Sequence, residues 1–268
     1  AIVVEPESGR LASGRVGRGR MAEPSEIVEA LRAVLGRTGD LAGRRLIVTA
    51  GGTQEPIDPV RLISNRSSGK MGYAIATAAR DRGADVVLIT APTTIPIPTG
   101  LDVRPVTTAL DMETAIHREV AHADALIMAA AVSDYRVASP ADQKIKRTAD
   151  DLVLRLIPNP DIIAGVAGES LVKVGFAAET SDLLANARQK LVKKGLDLIV
   201  ANDVSSPGSG FGTDTNQVTF LDRLGSEPLP LLAKRDVADR LLDRVVRILQ
   251  ERAAAISPLA ISDREGRG

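Results

Sequence analysis

In the stretch LIVTAGGTQEPIDPVRLISNRSSGKMG, Ser67, Ser68, Gly69 and Lys70 fall where a loop gives way to a helix. Two hydroxyls, a glycine that permits close backbone approach and a cation at the positive end of a helix together suit a phosphate. Leu46 to Thr49 read as a buried strand and Gly51-Gly52 as the turn leaving it, which puts the loop at the carboxyl edge of a sheet. The interval before the helix is long and carries Glu55, Asp58, Arg61 and Asn65. The stretch is not a P-loop, which needs glycine where Ser64 stands and serine or threonine where Met71 stands. Nor is it a dinucleotide fingerprint: G-x-G-x-x-G is absent, and the next strand runs into Ala91-Pro92 instead of an acid that could take a ribose hydroxyl. A loop whose glycines merely turn the chain fits the same residues.

A second constellation is IMAAAVSDYRVASPADQKIKR. Small residues at a strand end let a flat base or a sugar lie against the backbone. Asp134 could take ribose hydroxyls or help hold a metal ion, and Lys144 and Lys146 follow on an irregular segment. Lys190 and Lys194 are four apart and share a helical face, which suits a triphosphate as well as an ordinary exposed lysine stripe. Phe176 fits a core position equally well, and His117 and His122 have no partner in view and read as structural.

The elements that must position these groups alternate along the chain. Residues 24–35 have helical spacing, with Ile27, Val28, Leu31 and Leu35 on one stripe. Strand 46–49, helix 71–82, strand 86–90, a Pro/Thr-rich loop at 91–99 and a short strand near Val103 follow. Next come helix 109–122, with Leu110, Ile116 and Val120 inward, and strand 125–130. Between 132 and 158 the alternation breaks, and KIKR and LVLRLIP read as exposed strands of a hairpin-like excursion. It resumes with helix 161–167, strand 172–177, helix 182–193 and strand 198–201. Residues 217–221 read as an antiparallel strand, and 234–252 as a closing helix with Val237, Leu241, Leu242, Val245, Val246 and Leu249 inward. Near-continuous apolar strands alternating with helices predict an α/β fold, a Rossmann-like doubly wound, mostly parallel sheet. Residues 1–20, rich in Gly and Arg and without period, read as a tail or linker.

Composition narrows the partners. Among 268 residues, 34 Lys or Arg balance 34 Asp or Glu, so no global field attracts nucleic acid or an anionic membrane. With no cysteine, disulfides, thiolate zinc sites and a thiol nucleophile are excluded. No apolar run approaches a membrane span and no signal-peptide core opens the sequence, so the expected location is the cytoplasm.

The segments TAGGTQEPIDPVRLISNRSSGKMG, AAAVSDYR, KIKR, NPDI, GFAAET, ARQKLVKKGLDLIVANDV and GFGTDTNQV occur in this order. Together they resemble the phosphopantothenate–cysteine ligase domain, also called phosphopantothenoylcysteine synthetase, of bacterial coenzyme A biosynthesis. The resemblance covers residues 43 to 250. The leading GRLASGRVGRGRMAEPSEI looks like the end of the flavin-dependent decarboxylase domain fused upstream in such proteins, with Ser13 where the family commonly has cysteine. The resemblance therefore implies a remnant of that domain at 1–20, a linker helix at 21–42, the ligase domain at 43–252 and a disordered tail at 253–268. Neither FMN nor decarboxylase activity is expected of this chain.

The resemblance further implies a two-step ligation. The carboxylate of 4′-phosphopantothenate attacks the α-phosphate of CTP, giving an acyl-cytidylate and pyrophosphate; the amine of L-cysteine then displaces CMP. Met128, Ala129, Ala130, Asp134, Lys144, Pro160, Asp161, Ile162, Ile163, Phe176, Lys190 and Lys194 are implied to line the CTP site, with Mg2+ on the triphosphate. Asn65 is implied to hold the acyl-cytidylate, Lys144 to stabilise the reacting phosphate from a flap, and Ser67, Ser68 and Gly69 to bind phosphate. The family has lysine where Arg147 ends KIKR, and arginine keeps the charge. A homodimer is implied, with 132–158 as interface and flap. Two other classes compete. A short-chain oxidoreductase needs a Tyr-x-x-x-Lys pair, but Thr77 follows Tyr73 and Ser139 follows Tyr135 at that spacing. A nucleotide-sensing module would bind CTP without turnover, against which the presence of both Asn65 and Lys144 speaks.

Overall fold

The computed structural model of the chain describes residues 3–168, 170–179, 183–203, 210 and 212–256. Its first elements are an antiparallel pair, β1 (Glu7–Arg10) and β2 (Val16–Arg20). The sequence pattern predicts a tail or linker there, and the structure corrects it. The glycines that hide a strand pattern build the hairpin: Gly14 takes a φ of 81° in the turn, where any Cβ is strained. Helix α1 (Pro24–Leu35) follows, with proline at its start, where no N–H is needed. Its apolar stripe is not covered: Leu31 is 55% and Leu35 78% exposed.

The body of the molecule is one sheet. After β3 (Arg45–Ala50) come the short pair β4 (Gln54–Pro56) and β5 (Leu62–Ser64), then α2 (Lys70–Asp81), β6 (Asp85–Thr90) and β7 (Asp102–Pro105). These are followed by α3 (Ala109–Glu119), β8 (Ala125–Met128), β9 (Tyr135–Val137), β10 (Leu156–Pro158), α4 (Ile162–Gly165) and β11 (Val172–Glu179). Next are α5 (Leu183–Lys193), β12 (Leu198–Asp203), β13 (Thr215–Asn216), β14 (Val218–Leu221), β15 (Ser226–Pro228), β16 (Leu232–Ala233) and α6 (Lys234–Ile256). The main sheet has the order β15-β14-β12-β11-β8-β3-β6-β7, parallel from β12 to β7, with β14 and β15 added antiparallel. The chain winds outward from β3 to β6 and β7, then returns to the other side of β3 with β8. That reversal makes the carboxyl ends of β3 and β8 a topological switch point, where open α/β sheets bind ligands.

Both faces are covered, which is why the strands read as continuous apolar runs. Leu46, Val48 and Ala50 point to the face packed by Ile75 and Ala79 of α2 and Val237 and Leu241 of α6. Ile47 and Leu126 point to the other, against Met112 and Ile116 of α3 and Ala187 and Leu191 of α5. Each such Leu, Ile, Val or Met side chain withdrawn from water contributes about 1.5–3 kcal/mol. Among the inward residues expected on α3, Leu110 is exposed instead. A capping box between Thr108 and Asp111 fixes where α3 starts, and that phase turns Ala109, Met112 and Ile116 to the sheet.

The excursion between β8 and α4 differs from expectation. Its two strands are β9 and β10, paired antiparallel, and KIKR lies outside any strand. Helix α6 extends to Ile256, past the predicted end at 252, so 253–256 are helical; the rest of the expected disordered tail, 257–268, lies outside the described residues, as does Asp182 at the expected start of α5.

Candidate active site

β3 ends at Ala50, and Gly51 turns the chain with a φ of 81°; a Cβ there would lie 2.7 Å from the Ala91 carbonyl oxygen. Gly52 then bridges Ala131 in parallel, so the turns after β3 and β8 run side by side across the switch point. Glu55, in β4, is buried and accepts from Ala109 N–H at 3.0 Å, holding the start of α3. Asp58 and Arg61 form the turn between β4 and β5. The chain re-enters the switch point where Ser64 Oγ donates to the Thr53 carbonyl at 2.8 Å.

From there the predicted phosphate loop takes shape. Asn65 Nδ2 donates to the Val132 carbonyl at 3.1 Å and lies 3.5 Å from that of Ala131, joining the loop to the exit of β8. Ser67 and Ser68 accept from the amides of Gly69 and Lys70, at 3.3 and 3.5 Å. Gly69 precedes α2 with a φ of 78° and offers no side chain to cap the helix, so beyond the Lys70 amide that Ser68 takes, the amides of Met71 and Gly72 are left to water or an anion. Gly72 lets α2 approach β3 closely: a Cβ there would stand 2.6 Å from both Ala50 Cβ and the Thr49 carbonyl oxygen. Lys70 turns aside from the loop, donating to Asp214 at 2.6 Å and to the Gly212 carbonyl at 3.0 Å, and this lysine holds the Asp214 carboxyl below the usual range.

These groups open onto a cavity of about 560 Å³ along the carboxyl ends of β3, β8, β11 and β12. Asn65, Ser67, Ser68 and Gly69 form one wall; Met128, Ala129, Ala130 and Asp134 form the next. Thr49 Oγ1 accepts from Ala130 N–H at 3.1 Å and so fixes the small-residue turn. Pro160, Asp161, Ile162 and Ile163 close the far side with Phe176, Lys190 and Lys194. Ile162 and Ile163 are buried at the start of α4, whereas Phe176 is half-buried, neither plain core nor free surface. Lys194 continues the turn of α5 through its amide to Lys190, and its ammonium pairs with Asp161 at 3.0 Å. An ammonium so engaged can exchange its carboxylate partner for a phosphate.

Lys144 is the one candidate not on the cavity wall; it is exposed on the segment before β10, next to Ile145. The cavity also has residues the sequence reading passed over. Asn159 donates from its backbone to the Asp134 carbonyl and from its side chain to the Ser133 carbonyl, both at 2.8 Å, and so sets the Asp134 turn. Lys234 is buried and donates to the carbonyls of Thr213 and Thr215, at 2.5 and 3.0 Å, tying Thr213 to β13. Burial first, and nearby Lys70 second, push its ammonium below the usual lysine range. Its place at the start of a helix disguised it, since a basic residue there reads as surface.

Among the described residues no three His, Cys, Asp or Glu side chains converge, so no protein-built metal cage exists there. Magnesium seldom needs one: one or two carboxylates plus substrate phosphates suffice. Asp134, exposed on the cavity wall, supplies such a carboxylate, while Asp161 is committed to Lys194.

Comparison with known proteins fits this geometry. Residues 41–249 match the family described as DNA/pantothenate metabolism flavoprotein, C-terminal domain. The chain belongs to this family. It is 45% identical over 257 residues, 94% of its length, to the coenzyme A biosynthesis bifunctional protein CoaBC of Escherichia coli (strain K12). It is 41% identical over 254 residues, 92% of its length, to the protein of the same name from Bacillus subtilis (strain 168). It spans 63% of the length of each of these two relatives. A crystal structure of the C-terminal domain of a CoaBC protein superposes with a TM-score of 0.69 at 36% identity, covering 80% of this chain and 99% of that one. The Rossmann-like sheet is therefore the family's. Among the described residues no helix is long and apolar enough to cross a membrane.

Proposed function

We propose that the chain is a phosphopantothenate–cysteine ligase of coenzyme A biosynthesis, activating the carboxylate of 4′-phosphopantothenate with CTP. The observation that carries this reading is one cavity at the switch point, lined by residues from six of the seven family-like motifs, all but KIKR. The chemistry fits the lining. A carboxylate oxygen is a poor leaving group toward an amine, and transfer of the cytidylyl group onto it, with pyrophosphate leaving, corrects that. No covalent enzyme intermediate is needed, so the residues position groups and stabilise charge.

The uncapped start of α2, with Ser67 and Ser68, suits a phosphate of either substrate. Lys190 and Lys194 suit the triphosphate, and the backbone from Pro160 to Ile163 suits the edge of the cytosine. Asp134 is the carboxylate that would hold a magnesium ion brought in on the triphosphate, which supplies charge neutralisation there. Asn65 would hold the acyl-cytidylate by amide hydrogen bonds while the cysteine amine attacks, expelling CMP. Lys144, on its exposed segment, would meet the charge growing on the α-phosphate. The active unit is proposed to be a homodimer in the cytoplasm, joined to an upstream decarboxylase domain in the whole protein.

The test is pyrophosphate release by the purified chain with magnesium and 4′-phosphopantothenate, comparing CTP with ATP, with and without cysteine. CTP-dependent release, with amide only when cysteine is present, supports the ligase. CTP binding with no release would leave a nucleotide-binding module.

A further inference from the structure

A single carboxylate joins two segments that are distant in sequence. The side chain of Asp58 is wholly buried, at 0% exposure, and both of its oxygens are in use. Oδ1 accepts from the amides of Val60 and Arg61, at 2.8 and 2.9 Å, which closes the turn between β4 and β5. Oδ2 accepts from Arg61 Nε at 2.9 Å, from Arg61 Nη2, and from the amide of Ile145 at 3.1 Å. Arg61 Nη2 also donates to the Ile145 carbonyl at 2.7 Å. Ile145 thus has its N–H and its C=O held by one ion pair, and its chain neighbours are Lys144 and Lys146, both exposed. Ala141 N–H, donating to the Ile57 carbonyl at 2.9 Å, adds a second tie to the same turn. No regular element runs through 141–155, so this segment has no ladder of its own to place it.

Closing a turn needs only the oxygen that faces Val60 and Arg61, as in any Asx turn. A buried charge, however, must be compensated in full, and here one of the compensating donors comes from the distant segment. The donor set around Asp58 is complete only when Ile145 is seated. With Ile145 fixed on both sides, the Cα of Lys144 lies about 3.8 Å from an immobilised neighbour. The arrangement is an anchor at the root of the segment that bears Lys144.

We propose that Asp58 is a positioning residue for Lys144: through Ile145 it sets where Lys144 presents its ammonium, and thereby the rate of the CTP-dependent step. This inference rests on the ligase reading of Lys144. The diagnostic variant is Asp58→Asn. It keeps an oxygen for the turn amides but turns an NH2 toward the donors of Ile145 and Arg61. Asp58→Ser is the companion should Asp58→Asn not fold, since its hydroxyl can close the turn but is too short to reach Ile145.

Three readouts decide. Trypsin cleavage after Lys146 and Arg147 in the folded protein, followed by mass spectrometry, should quicken about tenfold as local opening becomes easier. Pyrophosphate release should slow about ten- to a hundredfold, the effect of a small misplacement, with most of the loss in kcat. In a Lys144→Gln background the same Asp58 substitution should cost almost nothing, because its effect passes through Lys144. Unchanged trypsin resistance, or an equal loss of rate with and without Lys144, would overturn the proposal. The two readings fail separately: a wild-type chain that releases no pyrophosphate from CTP sinks the ligase, whereas a trypsin-resistant Asp58→Asn sinks the anchor.

Discussion

Asn65 touches backbone from both sides of the switch point, since its own loop leaves β3 and its Nδ2 meets the carbonyls that follow β8. An amide can donate to those carbonyls and still bind a reacting group; a carboxylate would repel them. Asn65→Asp is therefore expected to spare pyrophosphate release but slow amide formation about 10²–10³-fold, the usual loss when one preorganised donor is removed. Rapid-quench chromatography should show acyl-cytidylate accumulating, and pyrophosphate release without that build-up would refute the assignment. Lys144→Gln should have the complementary effect, slowing pyrophosphate release about 10²-fold while the step with cysteine keeps pace. Loss of the second step alone would place Lys144 elsewhere in the reaction.

At the scale of elements, the close approach of α2 to β3 brings the loop of Ser67 and Ser68 to the sheet edge. A methyl at Gly72 would meet Ala50 Cβ and the Thr49 carbonyl, both parts of a central strand that cannot yield, so α2 must move instead. Gly72→Ala is expected to destabilise the fold by about 1–3 kcal/mol, as overpacking does, and to raise KM by withdrawing the helix start from the cavity. A denaturant midpoint equal to that of wild type would show that the contact relaxes without cost. Packing of this kind also explains what could be read in advance. The buried parallel strands announce themselves as apolar runs, and α6 as a stripe from Val237 to Leu249, because burial selects those side chains. The motif residues other than those of KIKR line one cavity, since the ends of parallel strands meet at one edge. KIKR misled because alternation of Lys with Ile suggests a strand, whereas Ile145 is held by a side chain from another hairpin. Long-range contacts of that sort leave no local signature, and Asn159, bonded to the turn after β8, stayed hidden for the same reason.

Across the whole molecule, the two edges of the sheet are treated differently. The amino edge is stapled by ion pairs, Arg44 with Asp124 at 2.9 Å and Arg45 with Asp85 and Glu119 at 2.5 and 2.9 Å. The carboxyl edge is left open for ligands, and its loops are held by carboxylates that accept several hydrogen bonds. Arg61, aided by backbone amides, holds the Asp58 carboxyl well below the usual carboxylate range. The amide of Thr108 does the same for Asp111 at the start of α3, and at the amino edge Arg82 does so for Asp40, just before β3. In the unfolded chain these groups regain ordinary values near about 4, so unfolding takes up protons once the pH falls that far. Their contribution to stability is complete above the ordinary carboxylate range and is lost as pH falls through the lower folded-state values. The melting temperature should therefore be level from about pH 7 to about pH 5 and drop below about pH 4. A melting temperature that stayed level to about pH 3 would mean that these donors do not hold their carboxylates in solution.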